Sequence, residues 1–211
     1  MTIPLLFAMT QFAQAGDGVK VRPHVKPILS GQSFLVNDDR YSALNIGGAV
    51  GVRYAQKTKG LKLTGLTRAQ YIRTVSLADT TGEDLRIGTS IGPWWRVVGL
   101  QVGVDGVRNS YSNAAITMPE AYGVAPTLSA LVDLKIASVS VIAGPTYYFG
   151  DSREAVDWAT TSYDFPGFGD EFYYKARAGF DLLLLNIGVT YSNRYTAYGV
   201  EQMVGLGVGF F

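Results

Sequence analysis

The sequence predicts an all-β chain folded as a transmembrane, antiparallel up-and-down β-barrel of about ten strands, with eight as the alternative count. Three observations lead there: strict side-chain alternation, the absence of a long apolar run, and connectors that alternate in length. Alternation is clearest between Phe172 and Tyr195. Phe172, Tyr174, Ala176, Ala178, Phe180 and Leu182 share one parity, and Tyr173, Lys175, Arg177, Gly179 and Asp181 share the other. After a turn at Leu183 and Leu184, Leu185, Ile187, Val189 and Tyr191 oppose Asn186, Gly188, Thr190 and Ser192. Strand side chains point to opposite faces with a period of two, so each strand has one apolar and one polar wall. The polar wall carries full charges, which suits water inside the barrel and lipid outside it.

The same parity can be followed from the start. Val19, Val21, Val25 and Leu29 oppose Lys20, Arg22, His24 and Lys26 in a first strand that Pro23 and Pro27 interrupt on the apolar side. Leu44, Ile46, Val50, Val52 and Tyr54 then oppose Asn45, Gly47, Gly51 and Arg53. A third strand covers about 60–77, with Lys62, Thr64, Arg68 and Gln70 inward. Leu85, Ile87 and Ile91 oppose Arg86, Gly88 and Ser90, with Gly92-Pro93 read as a tight turn. Val98, Leu100, Val102 and Val104 oppose Gly99, Gln101, Gly103 and Asp105. Tyr122 to Val132 gives a sixth strand and Val139 to Phe149 a seventh. The hairpin at 172–195 and a last strand from Gly199 to Phe211 complete ten.

Composition agrees with this class. Charged residues make up 17% of the 211 residues, below the roughly 25% of soluble domains. No apolar run reaches the roughly 18 residues that a membrane-spanning helix needs, so a helical membrane protein is excluded. With no cysteine in the chain, disulfides and thiolate metal sites are excluded too. Residues 1–15 read as a signal peptide with a truncated or misassigned start. Ile3 to Ala8 is its apolar core and Ala13-Gln14-Ala15 its cleavage site, but the basic leading region is missing. Residues 16–211 are then one barrel domain.

Long connectors are expected near 31–40, 78–84, 109–120 and 150–171, and short ones near 56–59, 92–94, 133–136 and 183–184. A final connector at 196–198 is short. On these features the chain resembles the small bacterial outer-membrane β-barrel proteins, by architecture over residues 18–211 and without a subfamily motif. The resemblance implies a Gram-negative envelope, the outer membrane as location, lipid or lipopolysaccharide around the barrel, and short turns on the periplasmic side. It also implies that the barrel-assembly machinery recognises the C-terminal strand, which ends Gly209-Phe210-Phe211. Phe211 departs from the family pattern, because the apolar parity there is Val204, Leu206, Val208 and Phe210; a bulge near the end would reconcile the two.

Sorting charge by parity gives the candidate site. The lumen-lining charges are Arg53, Lys62, Arg68, Arg86, Asp105, Lys175, Arg177, Asp181, Arg194 and Glu201, a mainly basic set. The long connectors take Asp38, Asp39, Asp79, Glu83, Asp84, Glu120, Asp151, Glu154, Asp157, Asp164, Asp170 and Glu171, an acidic rim. Such a wall either cross-links the lumen or favours small anions in a narrow pore. Tyr54, Trp94, Trp95, Tyr111, Tyr122, Tyr147, Phe149, Phe172 and Tyr174 are the expected aromatic girdle at the membrane interfaces. Arg73 and Arg108 are placed to meet lipid phosphates, and Trp158, Tyr163, Phe165 and Phe168 to cover the pore mouth.

The expected function is therefore that of a non-enzymatic integral outer-membrane barrel, structural or adhesive, or a narrow pore. Neither a cofactor, a resident metal nor a nucleic-acid partner is indicated. Two alternatives stay open. An outer-membrane lipid-modifying enzyme would have to use His24, the single histidine of the chain. A soluble lipocalin-type barrel would need the opposite polarity, with the charged parity facing solvent.

Overall fold

The computed structural model describes residues 19–36, 39–58, 61–76, 81–112, 117–134, 136–149, 170–182, 185–196 and 199–210. The residues expected to form a signal peptide, the aromatics between 150 and 169, and Phe211 lie outside these. Ten strands form in chain order: β1 (Val19–Val36), β2 (Asp39–Thr58), β3 (Leu61–Ser76), β4 (Thr81–Trp95) and β5 (Val98–Ser112), then β6 (Thr117–Asp133), β7 (Ala137–Tyr148), β8 (Glu171–Leu182), β9 (Leu185–Thr196) and β10 (Gly199–Phe210). Each pairs antiparallel with its sequence neighbours, and β1 pairs with β10 to close the ring. Closure leaves no free edge along the paired length, which is what an all-β chain requires to cross lipid.

Alternation sets which wall is which. The outer wall carries large exposed apolar side chains, among them Val102 (61% exposed), Leu128 (60%) and Leu206 (65%). The inner wall carries the buried polar set, including Gln32, Asn45, Arg86, Asp105, Asn109 and Glu201. The barrel is thus apolar outside and polar inside, the reverse of a soluble barrel.

The strands run longer than the alternation of apolar residues suggests. β2 has 20 residues and β1 has 18, against the roughly 9–11 that span a bilayer. Asp39, Glu83, Asp84, Glu120 and Glu171, expected in connectors, lie within strands. The connectors are correspondingly shorter: residues 37–38, 77–80, 113–116 and 197–198 at one end, where only 149–170 is long. The other end has 59–60, 96–97, 134–136 and 183–184. The expected sorting by loop length therefore rests on one connector. Backbone pairing continues beyond the apolar belt because polar side chains there meet water at no cost. The end with the short connectors throughout is called the turn end below, and the opposite one the loop end.

Gly92-Pro93, expected as a turn, lies inside β4, and the hairpin turns instead at Arg96 and Val97. Arg96 has φ 52°, the left-handed backbone that primed hairpin turns need and that glycine usually supplies. Its guanidinium lies over Trp95 at 5.1 Å, and its carbonyl accepts from Trp94 Nε1 at 2.9 Å. The two tryptophans thus hold a turn whose sequence lacks a turn residue. In β1, pairing to β10 skips Lys26 and Pro27, as expected where proline has no N–H to offer.

On the outer wall, Tyr54 of β2 lies across Gly65 of β3, and its hydroxyl donates to the Ser90 carbonyl of β4 at 3.2 Å. A Cβ at position 65 would stand 2.1 Å from the tyrosine ring. Gly65→Val is therefore expected to eject the ring and to cost about 1–3 kcal/mol, the usual range for overpacking. Urea unfolding in lipid vesicles reads this directly. An unchanged midpoint would mean that the ring does not rest on the glycine.

Candidate functional site: two levels of the lumen

The inner wall divides into two levels. Near the loop end nearly every inward side chain is buried: Gln32, Asn45, Thr74, Arg86, Asn109, Tyr111, Thr146, Tyr148, Glu171, Tyr173 and Glu201. Small inward residues on β6 make room for them. Ala121 and Ala125 are fully buried, and Gly123 lies against the Tyr148 ring. Val107, Ala125 and Tyr173 form a buried apolar cluster joined by Ile142.

Arg194 of β9 organises the polar part of this level. It pairs with Asp84 of β4, with Glu201 of β10 at 3.2 Å and with Glu171 of β8 at 3.8 Å. β4 and β9 are five strands apart in either direction around the ring, so the Arg194–Asp84 pair crosses the full diameter of the lumen. Arg86 Nε reaches the same Asp84 at 3.2 Å, and its guanidinium lies 4.5 Å over the Tyr173 ring of β8. Asn109 completes the set in the amide orientation that satisfies both partners: its oxygen accepts from Tyr148 Oη at 2.8 Å and its nitrogen donates to Asp84 Oδ2 at 3.0 Å. Gln32 donates to Glu201, and Thr74 donates to Asn45 at 2.8 Å. Two guanidiniums thus meet three carboxylates and leave one negative charge over, and neither oxygen of buried Glu171 has a hydrogen-bond partner.

Just below, Arg68 of β3 pairs with Asp105 of β5 at 3.2 Å. A part-open space of about 70 Å³ extends from this height into the layer above, lined by Arg68 and Lys175 as well as by Gln32, Asn45, Arg194 and Glu201.

Toward the turn end many inward residues are only half-buried, among them Thr64, Ser90, Gln101, Thr127, Ser129, Ser140 and Thr190. Gln101 Nε2 donates to Thr64 Oγ1 at 3.0 Å and Ser90 Oγ donates to Gln101 Oε1 at 3.1 Å. Three inward glycines, Gly179, Gly188 and Gly207, stand side by side on β8, β9 and β10. Arg53 points inward and is nonetheless exposed, so this half of the lumen is wet. Its charge is mainly basic. His24, Lys26, Arg53 and Arg177 lie here, and Arg53 feels Asp181 and Asp133 as counter-charges.

The ten lumen-lining charges read from the sequence all lie on inward parity, but the structure does not bring them into one ring. Arg86, Arg194 and Glu201 belong to the buried layer; Arg68, Asp105 and Lys175 lie at mid-height; Arg53, Lys62, Arg177 and Asp181 lie in the wet half. Lys62 lies over Trp94 at 5.5 Å. Of the aromatics, Trp95, Tyr122, Tyr147 and Phe149 are exposed on the outer wall, and Tyr54, Phe172 and Tyr174 are half-buried there. Tyr174 packs at 6.3 Å against both Tyr191 and Tyr195.

Trp94 and Tyr111 are corrections to the girdle, because both point into the lumen. Trp94 shares the parity of Arg86 and covers Gly99, where a Cβ would meet its ring at 2.3 Å. Tyr111 shares the parity of Asp105 and Asn109 and is 7% exposed. Arg108, expected at lipid phosphates, pairs with Glu120 on the outer wall at the loop end, where Tyr122 also donates to Glu120. Asp84 and Glu171 are the functional residues that the acidic rim had absorbed. The signal that finds them is parity, since Asp84 continues Arg86 and Glu171 continues Tyr173.

No family model matches the chain, and no curated protein matches it. Among solved structures, it is similar to the translocator domain of the autotransporter NalP from Neisseria meningitidis (13% identity, 99% of this chain and 93% of that one, TM-score 0.37). It is also similar to the β domain of the Bordetella autotransporter BrkA (11% identity, 90% and 98%, TM-score 0.42). A third similar structure is OccD3 of Pseudomonas aeruginosa (10% identity, 93% and 65%, TM-score 0.33).

Proposed function

We propose that this chain is a non-enzymatic integral barrel of the bacterial outer membrane whose lumen is blocked, so that its role is structural or adhesive rather than conductive. The observation that carries this is the Arg194–Asp84 pair across the lumen diameter within a layer of buried side chains. The exposed apolar belt supports placement in lipid, because a contiguous apolar girdle around a closed barrel has no use in water. The turn end is then periplasmic and the loop end external. Surrounding lipid or lipopolysaccharide and the assembly machinery acting on β10 are the partners this reading entails.

His24 gives catalysis little to work with. Among the described residues it has no hydrogen bond or ion pair, and the charges acting most strongly on it are Arg53, Lys26, Arg68 and Arg177, all cationic. A general base needs an orienting acceptor, and none is at hand.

Planar-bilayer recording of the purified barrel is expected to show no steady current. In Asp84→Ala/Arg194→Ala the layer loses the pair that spans it, and small, anion-preferring openings are expected because the wet half below is basic. Steady current through the unmodified protein would instead support the narrow-pore reading, which the wetness of the turn end favours.

A further inference from the structure

Between the buried layer and the wet half lies a second cavity, of about 20 Å³. Two lysines from opposite sides of the β9–β10 wall reach it, Lys26 of β1 and Lys175 of β8, together with the hydroxyl-bearing Ser30, Thr190 and Ser192. No carboxylate is among its lining residues. Neither lysine has a hydrogen bond or ion pair among the described residues. The charges acting most strongly on Lys26 are Lys175, Arg177, Arg68 and Arg53, every one a cation. For Lys175 the one acid among its strongest neighbours is Asp84, which is already shared by Arg86 and Arg194.

We propose that this cavity is a binding site for one small inorganic anion of halide size, held between the Lys26 and Lys175 ammonium groups and the neighbouring hydroxyls. The physical reason is the imbalance. Two half-buried ammonium groups beside further cations repel one another unless a counter-charge arrives, and the cavity lining supplies none. A volume of about 20 Å³ suits one water-sized particle. Lysine and hydroxyl donors without an acceptor-only side chain select an anion over a cation. The wall is also shaped for it. Lys26 lies across Gly207, where a Cβ would come within 2.8 Å of its Cε, so the missing side chain there gives Lys26 its path. Beside it, the Arg177 guanidinium covers Gly188, where a Cβ would stand 3.0 Å from its Nη2. The proposal does not depend on whether the layer above blocks conduction.

The test uses the purified barrel in zwitterionic detergent, melted in sodium gluconate and then with chloride or bromide replacing gluconate at constant ionic strength. The melting temperature is expected to rise with halide, because a ligand that binds only the folded state stabilises it. The rise is expected to vanish in Lys26→Met and in Lys175→Met, which keep an unbranched stem. In crystals grown from bromide, an anomalous peak is expected within hydrogen-bonding reach of both ammonium groups. Equal melting in gluconate and halide would overturn the proposal, as would an undiminished halide response in the two variants, which marks a general salt effect. If the variants do not fold, the bromide crystal of the unmodified protein decides: a peak at the cavity sustains the site and its absence removes it. A lysine pair that discharges itself by losing protons would give neither peak nor halide response.

Discussion

Arg194→Ala is expected to cost about 3–5 kcal/mol, the range for removing one partner of a buried charge network. The loss comes from what remains rather than from the pair itself. Asp84, Glu171 and Glu201 would stand at the same height with Arg86 as the one guanidinium left in their layer, and Glu171 is 1% exposed. Arg194→Lys keeps the charge but replaces the planar fork with a point donor, so it should fall between the two. In Arg194→Met/Glu201→Met the stranded charge is reduced, and part of the stability should return. Urea titrations in lipid vesicles, followed by tryptophan fluorescence, measure all three. A midpoint for Arg194→Ala within about 0.5 kcal/mol of the unmodified protein, the range of ordinary surface changes, would mean that the cross-lumen pair holds nothing.

Val102→Arg tests the other wall, and its outcome depends on the solvent outside. Val102 is 61% exposed and faces outward opposite Leu128 of β6. Against lipid near the middle of the belt, an arginine costs about 2–4 kcal/mol. Against water, the same change stays within about 0.5 kcal/mol. Ser129→Arg, on the inward parity and facing the wet half, is the comparator and should cost well under what Val102→Arg does, since charges are tolerated in a hydrated lumen. Equal small costs at both positions would argue for a soluble barrel and against the membrane reading. In vesicles Val102→Arg should also insert less completely than Ser129→Arg.

Much of the fold is legible along the chain because a strand displays its environment with a period of two. Lys175, Arg177 and Asp181 could be assigned inward from the sequence, as could Arg53 beside Gly51, since neighbours on the same strand share the evidence. Strand ends were less legible. Asp84 and Glu171 look like loop residues by hydropathy, because polar side chains beyond the apolar belt do not reveal whether their backbone stays paired. Trp94 and Tyr111 are illegible for a related reason. Both lie in stretches that read as connectors, 92–94 and 109–120, so parity constrains them only once β4 and β5 are seen to run through them.

An antiparallel barrel of about ten strands and the polarity of its two walls follow from the sequence alone, because alternation is a local property of each strand. Tertiary structure alone decided that the basic parity is spread over the height of the lumen rather than gathered in one ring. Which residues meet across a lumen depends on the number of strands and on their stagger around the closed ring, quantities that no single strand encodes. Arg194 and Asp84 are 110 positions apart in the chain and meet because β9 and β4 fall opposite one another on closure. The same closure leaves Lys26 and Lys175 facing one cavity with no acid between them.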